Sequence, residues 1–268
     1  VAGGGRHAEA RIGGQLAALG VEPGSVVLVH ASLRAVGPVA GGGAAVLRAL
    51  RGVLGPDGTV VVPAFTARNS DTSAAYLERV RGLGEAERAA VRAAMPPYDA
   101  AAMPSDGVGV LPEIVRTTAG AVRSAHPQTS FAALGPHAGT VVRGHRPDCH
   151  LGEDSPLARL YELRARILLL GTGYDRCTAF HLGEYRVARP PRRTYRCVVR
   201  RDGVRRWWSY EDVALDDGDF GALGADLERD RPGAVRRGVV GAAPCRLLDL
   251  VEAVDYSRVW LERNRART

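Results

Sequence analysis

Apolar positions along this chain fall into two rhythms. Residues 25–30 (S-V-V-L-V-H), 59–63 (T-V-V-V-P) and 167–170 are short, unbroken apolar runs with the length and β-branched content of strands buried on both faces. Between them lie stretches with helical spacing: 8–19 ending at Gly20, 44–54, a piece around 85–94, one reaching Arg116, and one near 137–142. Another begins at Pro156, with Asp154 or Ser155 as its cap. Strand, glycine-containing turn and helix recur in that order, which predicts an α/β protein. Further on, 194–200 and 204–209 alternate around R-D-G and predict a β-hairpin. An acidic segment follows at 210–230, then a strand near 243–247, a helix over 248–253 and a second helix near the end. Residues 64–104 break the rhythm with a long polar excursion, the mark of a substrate loop or lid more than of a plain connection. With no repeat, low-complexity tract or linker, the chain reads as one domain over 1–268.

Composition changes this picture little. At 268 residues the chain can bury a sizeable core, and no apolar run approaches the roughly 18 residues of a membrane span. Nothing at its N-terminus has the pattern of a signal peptide, so a cytoplasmic protein is expected, with no membrane partner. Cys149, Cys177, Cys197 and Cys245 are scattered without a C-x-x-C pair, so reduced thiols and no metal site are expected.

Charge says more. All 36 basic residues are Arg, and the net charge is +7. That balance suits an anionic ligand, but apart from a local excess over 186–206 the Arg residues are dispersed, which argues against a nucleic-acid surface.

Candidate chemistry centres on 166–186. A buried strand closes at Gly171 and Gly173, and a short helix over 178–186 follows. His181 and Glu184 lie on one face of that helix, just past a central strand, where open α/β sheets tend to place their sites. A solvated polar helix has the same spacing. A second signal is the strand 25–30, a polar turn, glycines at 41–43 and a helix, an arrangement that can cradle a phosphate on free backbone N–H groups. It is neither a P-loop nor a dinucleotide fingerprint.

Six stretches together resemble the aminoglycoside 3-N-acetyltransferase family, acetyl-CoA-dependent enzymes outside the GNAT fold. They are V-L-V-H-A-S-L-R-A-V-G at 27–37, G-P-D-G-T-V-V-V-P at 55–63, M-P-S-D-G-V-G at 103–109, R-S-A-H-P-Q-T-S-F-A-A-L-G at 123–135, L-G-E-D-S-P-L-A-R-L-Y-E-L at 151–163 and L-L-L-G-T-G-Y-D-R-C-T-A-F-H-L-G-E-Y-R at 168–186. Their order and near-complete coverage make the match specific. The resemblance implies a layered α/β/α fold with a central mixed sheet, a small β-hairpin and an acidic segment in the C-terminal third. It implies acetyl-CoA as cosubstrate, no metal, and an aminoglycoside acceptor acetylated at its 3-amino group, conferring antibiotic resistance. Cofactor contacts would map onto His30, Ala31, Ser32, Leu33, Gly37, Val39, Gly41, Gly42 and Gly43, with Ser105, Gly107 and Val108 nearby. Many members carry Arg where this chain has Asp106, which removes Asp106 as a phosphate contact.

A polycationic acceptor on a protein of net charge +7 needs local carboxylates. Candidates are Asp71, Asp99, Asp175, Glu184, Glu211 and Asp212. Acetyl transfer to an amine needs a base of pKa near neutrality, which points to His181, oriented by Glu211 or otherwise by Glu184. Three other readings stay open. One is a covalent acyl-enzyme on Cys177, another a related CoA-dependent N-acyltransferase acting on a biosynthetic intermediate, and the last a non-catalytic basic nucleic-acid-binding module. A monomer or a homodimer is expected.

Overall fold

The computed structural model describes residues 6–265. In chain order its elements are α1 (Glu9–Leu19), β1 (Val26–Ala31), α2 (Leu33–Val36), α3 (Gly42–Leu54), β2 (Thr59–Pro63), α4 (Ala74–Arg79), α5 (Glu85–Ala93), α6 (Val110–Thr117), β3 (Val122–Arg123), β4 (Phe131–Leu134) and α7 (Ala138–Val142). Then come α8 (Pro156–Glu162), β5 (Arg166–Leu170), α9 (Phe180–Arg186), β6 (Arg192–Arg201), β7 (Val204–Val213), α10 (Phe220–Asp230), β8 (Val235–Val240), β9 (Ala243–Asp249) and α11 (Leu250–Arg265), with single 3-10 turns at Tyr174–Arg176 and Pro232–Ala234.

Seven strands form one sheet in the order β3-β4-β2-β1-β5-β9-β8, and β6 pairs with β7 alone. β1 runs parallel to β2 and β5, whereas β4 on one side and β9 on the other are antiparallel to their neighbours, so the sheet is mixed. The period of two decides what each face meets. Val27, Val29, Leu168 and Leu170 pack with Leu16, Leu50 and Leu111 of α1, α3 and α6. Leu28, Ile167 and Leu169 pack on the other face with Leu157, Phe180, Phe220 and Val254 of α8 to α11. Burying each such side chain contributes roughly 1.5–3 kcal/mol. The result is the expected α/β/α layering, with β1 and β5 at its centre.

Several boundaries differ from the sequence pattern. The acidic segment 210–230 divides into the end of β7 and the helix α10, whose Phe220, Leu223 and Leu227 are buried against the core. The two closing helices are one, α11. β8, an edge strand with exposed Arg236 and Arg237, escaped the pattern because its alternation is partial. The hairpin forms as expected, with Asp202 and Gly203 at φ of 51° and 74° in its two-residue turn.

Residues 64–104 hold α4 and α5 and lie against that hairpin. The Val198 N–H donates to the Asn69 carbonyl at 2.7 Å, the Ser70 hydroxyl donates to the Arg196 carbonyl at 2.8 Å, and Tyr76, Val80, Met95 and Val198 form a small apolar cluster. No helix among the described residues is long and apolar enough to cross a membrane.

Candidate active site

β5 ends at Leu170, and Gly171 takes φ +68°, where an added Cβ would sit 2.8 Å from that of Ala35. This tight exit leads through the 3-10 turn to α9, where Phe180 and Leu182 point into the core and leave His181 at its rim. Nδ1 of His181 lies 2.5 Å from Oε2 of Glu184. Oε1 of Glu184 accepts from the Arg265 guanidinium at 2.5 Å and from the Asp216 N–H at 3.1 Å. Arg265 in turn donates to Asp219. The His181 ring leans on Phe220, centroids 4.7 Å apart. A carboxylate only accepts, so Nδ1 carries the proton and the Nε2 lone pair is left over; among the described residues Nε2 has no hydrogen-bond partner.

Glu184 is therefore the carboxylate on His181. The expectation that placed Glu211 there fails, because Glu211 lies exposed on β7 and bonds the Thr194 hydroxyl. Glu184 is also removed from the acceptor-binding set, since both its oxygens are taken and it is 2% exposed. Asp212 leaves the same set. It is buried, with Oδ2 accepting from the His150 N–H at 2.7 Å and the Tyr185 hydroxyl at 2.5 Å, and Oδ1 from the Val213 N–H at 2.8 Å. Asp99 caps a turn, accepting from the N–H groups of Ala101 and Ala102, which hold its carboxyl below the usual range. Asp175 is exposed and paired with its neighbour Arg176 at 3.1 Å. Asp71 lies 3.5 Å from the Arg196 guanidinium, and its Oδ1 is buried without a partner.

The second half of the site is a cleft of about 470 Å³ lined by Arg6, Leu33, Gly37, Pro38, Val39, Gly41, Gly42, Gly43 and Val46. It holds six of the residues assigned to the cofactor, gathered at the N-terminus of α3. An added Cβ at Gly43 would come 2.5 Å from Ile114 and 2.7 Å from Leu33, so the absent side chain lets α6 and the turn after β1 close around it. Ser32 is committed to structure: its N–H donates to the Leu170 carbonyl at 2.9 Å and its hydroxyl caps α2. Ala31 continues β1, and its carbonyl lies 3.3 Å from an added Cβ at Gly109, which brings the turn containing Gly107 and Val108 alongside. Ser105 N–H and hydroxyl both donate to Oε1 of Glu113 at 2.7 Å, and Glu113, bonded to Arg116, has its pKa lowered to about 2. The Ser105 hydroxyl is thus occupied within the protein.

His30 departs from its expected place in the cofactor cradle. It shares a face with Val26 and Leu28, which points it toward α9, while the cradle lies around Leu33 and Val46 on the opposite face of the sheet. Burial, and then the nearby His181, hold its pKa down to about 3. His150 is lowered to about 3 by burial, with His145, His181 and Arg193 adding to it. Cys177 is fully buried, and burial pushes its thiol up to about 12, so it offers no thiolate for a covalent step. Sequence reasoning missed Arg265 altogether, because its tie to Glu184 spans 81 positions. Among the described residues no group of three His, Cys, Asp or Glu side chains could hold a metal ion.

A histidine–carboxylate pair on α9, past the end of β5, and a glycine-lined cleft at the N-terminus of α3 are the features an acyltransferase with an anionic cosubstrate would need. The comparisons agree: residues 28–262 match the family model described as aminoglycoside 3-N-acetyltransferase, and the chain belongs to that family of acyltransferases. It is 36% identical to aminoglycoside N(3)-acetyltransferase VII of Streptomyces paromomycinus, over 96% of this chain and 92% of the relative. Among solved structures, YokD from Bacillus subtilis superposes with a TM-score of 0.92 at 33% identity, covering 99% of this chain and 97% of that one. AAC-IIIb, described as a binary complex with CoASH, gives a TM-score of 0.82 at 30% identity, with 97% of each chain covered.

Proposed function

We propose that this protein transfers the acetyl group of acetyl-CoA to the 3-amino group of a 2-deoxystreptamine aminoglycoside, with His181 as general base, and so confers resistance to that antibiotic. The observation that carries the mechanism is the Nδ1 contact of His181 with Glu184, which leaves Nε2 as a lone-pair acceptor on α9, past the end of β5. The cleft, with Arg6 at its wall and the α3 N-terminus at its floor, suits the pyrophosphate of coenzyme A. The CoASH complex of AAC-IIIb supports that cosubstrate. Asp71, Asp175 and Glu211 are the carboxylates left to recruit a polycation. Residues 64–104 are the substrate loop of a single acetyltransferase domain.

In this reading the acceptor amine, held in a ternary complex, gives its proton to Nε2 as it attacks the thioester. Glu184, backed by Arg265 and the Asp216 N–H, holds the ring orientation and balances the imidazolium. Thiol release from acetyl-CoA, measured against a panel of aminoglycosides with mass spectrometry of the product, tests the activity. His181→Ala is expected to lower kcat on the order of 10²-fold or more. Normal turnover in that variant would overturn the assignment.

A further inference from the structure

When an amine attacks a thioester, negative charge builds on the carbonyl oxygen, and donors aimed at that oxygen commonly supply the largest share of rate acceleration. His181 and Glu184 handle the amine's proton, and neither is free to meet the oxygen. His30 is. It is the penultimate residue of β1, on the face turned toward α9, and it immediately precedes the Ala31–Ser32 exit into the glycine-lined cleft. Its backbone leads toward the cleft while its side chain lies on the α9 face. The residue is 8% exposed, neither ring nitrogen has a hydrogen-bond partner among the described residues, and Nε2 is closed off from solvent.

An imidazole in that position carries a cost, because a buried polar group is left unpaired. Burial and the His181 charge keep it neutral. A neutral imidazole still holds one N–H, and it adds no second positive charge beside His181 once the base has taken its proton. A neutral histidine can serve as an electrophile in this way.

We propose that His30 is the oxyanion donor of the acetyl transfer, its imidazole N–H hydrogen-bonding to the acetyl carbonyl oxygen of bound acetyl-CoA and to the oxyanion formed from it. The amine nitrogen forms a bond to the carbonyl carbon while the π electrons move onto the oxygen facing His30. Nε2 of His181 takes the amine proton. Collapse reforms the carbonyl, breaks the C–S bond and sends its electron pair onto sulfur, which takes the proton back from His181. His30 ends as it began. The inference rests on His181 being the base.

The test compares His30→Phe, which keeps a flat ring without a donor, with His30→Gln, which keeps a donor. His30→Phe is expected to lower kcat on the order of 10²- to 10³-fold with KM for both substrates within about 3-fold, and His30→Gln to recover part of the loss. Difference infrared spectra of bound, carbonyl-labelled acetyl-CoA give a readout independent of turnover. The carbonyl band should move to lower frequency in the wild type and in His181→Ala, and lose that shift in His30→Phe. Unchanged kcat, a rise confined to KM for acetyl-CoA, or an undiminished band shift in His30→Phe would overturn the proposal. If His30→Phe does not fold, the His30→Gln spectrum decides, since a weaker, longer donor must reduce the shift. Should His181→Ala keep its turnover while the band shift depends on His30, the base assignment fails and this one stands.

Discussion

Glu184 uses one oxygen to contact His181 and the other to hold Arg265 and the Asp216 N–H, so it couples the His181 imidazole to α11. Glu184→Gln keeps the volume but replaces one acceptor by an NH2 group, which cannot accept from Nδ1 and from Arg265 together. We expect kcat to fall on the order of 10²-fold with little change in KM for acetyl-CoA, as when a histidine loses the carboxylate that sets its tautomer. Steady-state kinetics check this, and a variant with wild-type kcat would leave Glu184 a structural residue only. Cys177 gives the opposite expectation. Buried, raised to about 12 and packed beneath α9, it should be replaceable: Cys177→Ala is expected to keep at least about half the wild-type kcat, with intersecting initial-rate lines for the two substrates. Parallel lines, or a collapse of kcat in a folded variant, would restore the covalent route.

Among the elements, the β6–β7 hairpin is the piece whose attachment matters most. It carries Glu211 outward and Tyr210 inward, because neighbours on a strand face opposite ways. Tyr210 donates to Oε1 of Gln128 at 2.6 Å and meets Nε2 of His150 at 2.8 Å, while Asp212 receives the His150 N–H and the Tyr185 hydroxyl. These bonds fix the hairpin to the β3–β4 connection, to the loop after α7 and to α9. Asp212→Ala would take the acceptor from three donors, the His150 and Val213 N–H groups and the Tyr185 hydroxyl, so a loss of roughly 2–5 kcal/mol is expected in urea unfolding. A loss under about 0.5 kcal/mol would show that Asp212 is not the tie. The alternation around R-D-G was enough to place the hairpin itself, since turn and strands are neighbours in sequence. Its docking was not legible, because Gln128, His150 and Tyr185 come from three distant segments.

For the whole molecule, the unusual feature is a buried imidazole cluster. His126 stacks on His145 at 4.7 Å and lies 4.6 Å from His150, and its Nδ1 accepts from the N–H groups of Gln128 and Thr129. Burial lowers His145 to about 4 and His150 to about 3, and takes His126 well below its ordinary value. His30 is lowered to about 3 in the same way. Unfolded, these groups titrate near pH 6.5. Below that pH the unfolded chain binds more protons than the folded one, so stability is full above about 6.5 and is lost as pH falls toward 4. The loss is at most roughly 1.4 kcal/mol per pH unit for each histidine. Urea midpoints measured from pH 7 to pH 5 should fall continuously; a flat profile would mean the cluster is protonated or hydrated in the native state.

The sequence by itself determined what depends on neighbours along the chain. Apolar runs placed β1, β2 and β5 because strands buried on both faces read as near-continuous apolar segments. Three-residue spacing put His181 and Glu184 on one face of α9, and the contiguous glycines marked the cleft at the N-terminus of α3. Tertiary structure decided what depends on packing between distant segments. It chose Glu184 over Glu211 for His181, since α9 leaves no other carboxylate at Nδ1 and turns Glu211 outward on β7. It withdrew Asp212 into the hairpin's anchor, brought Arg265 to Glu184 across the length of α11, and turned His30 away from the cradle to the α9 face of the sheet. A carboxylate's spacing in sequence says which face of its own element it occupies; only burial and the partners met there say whether it binds, orients or anchors.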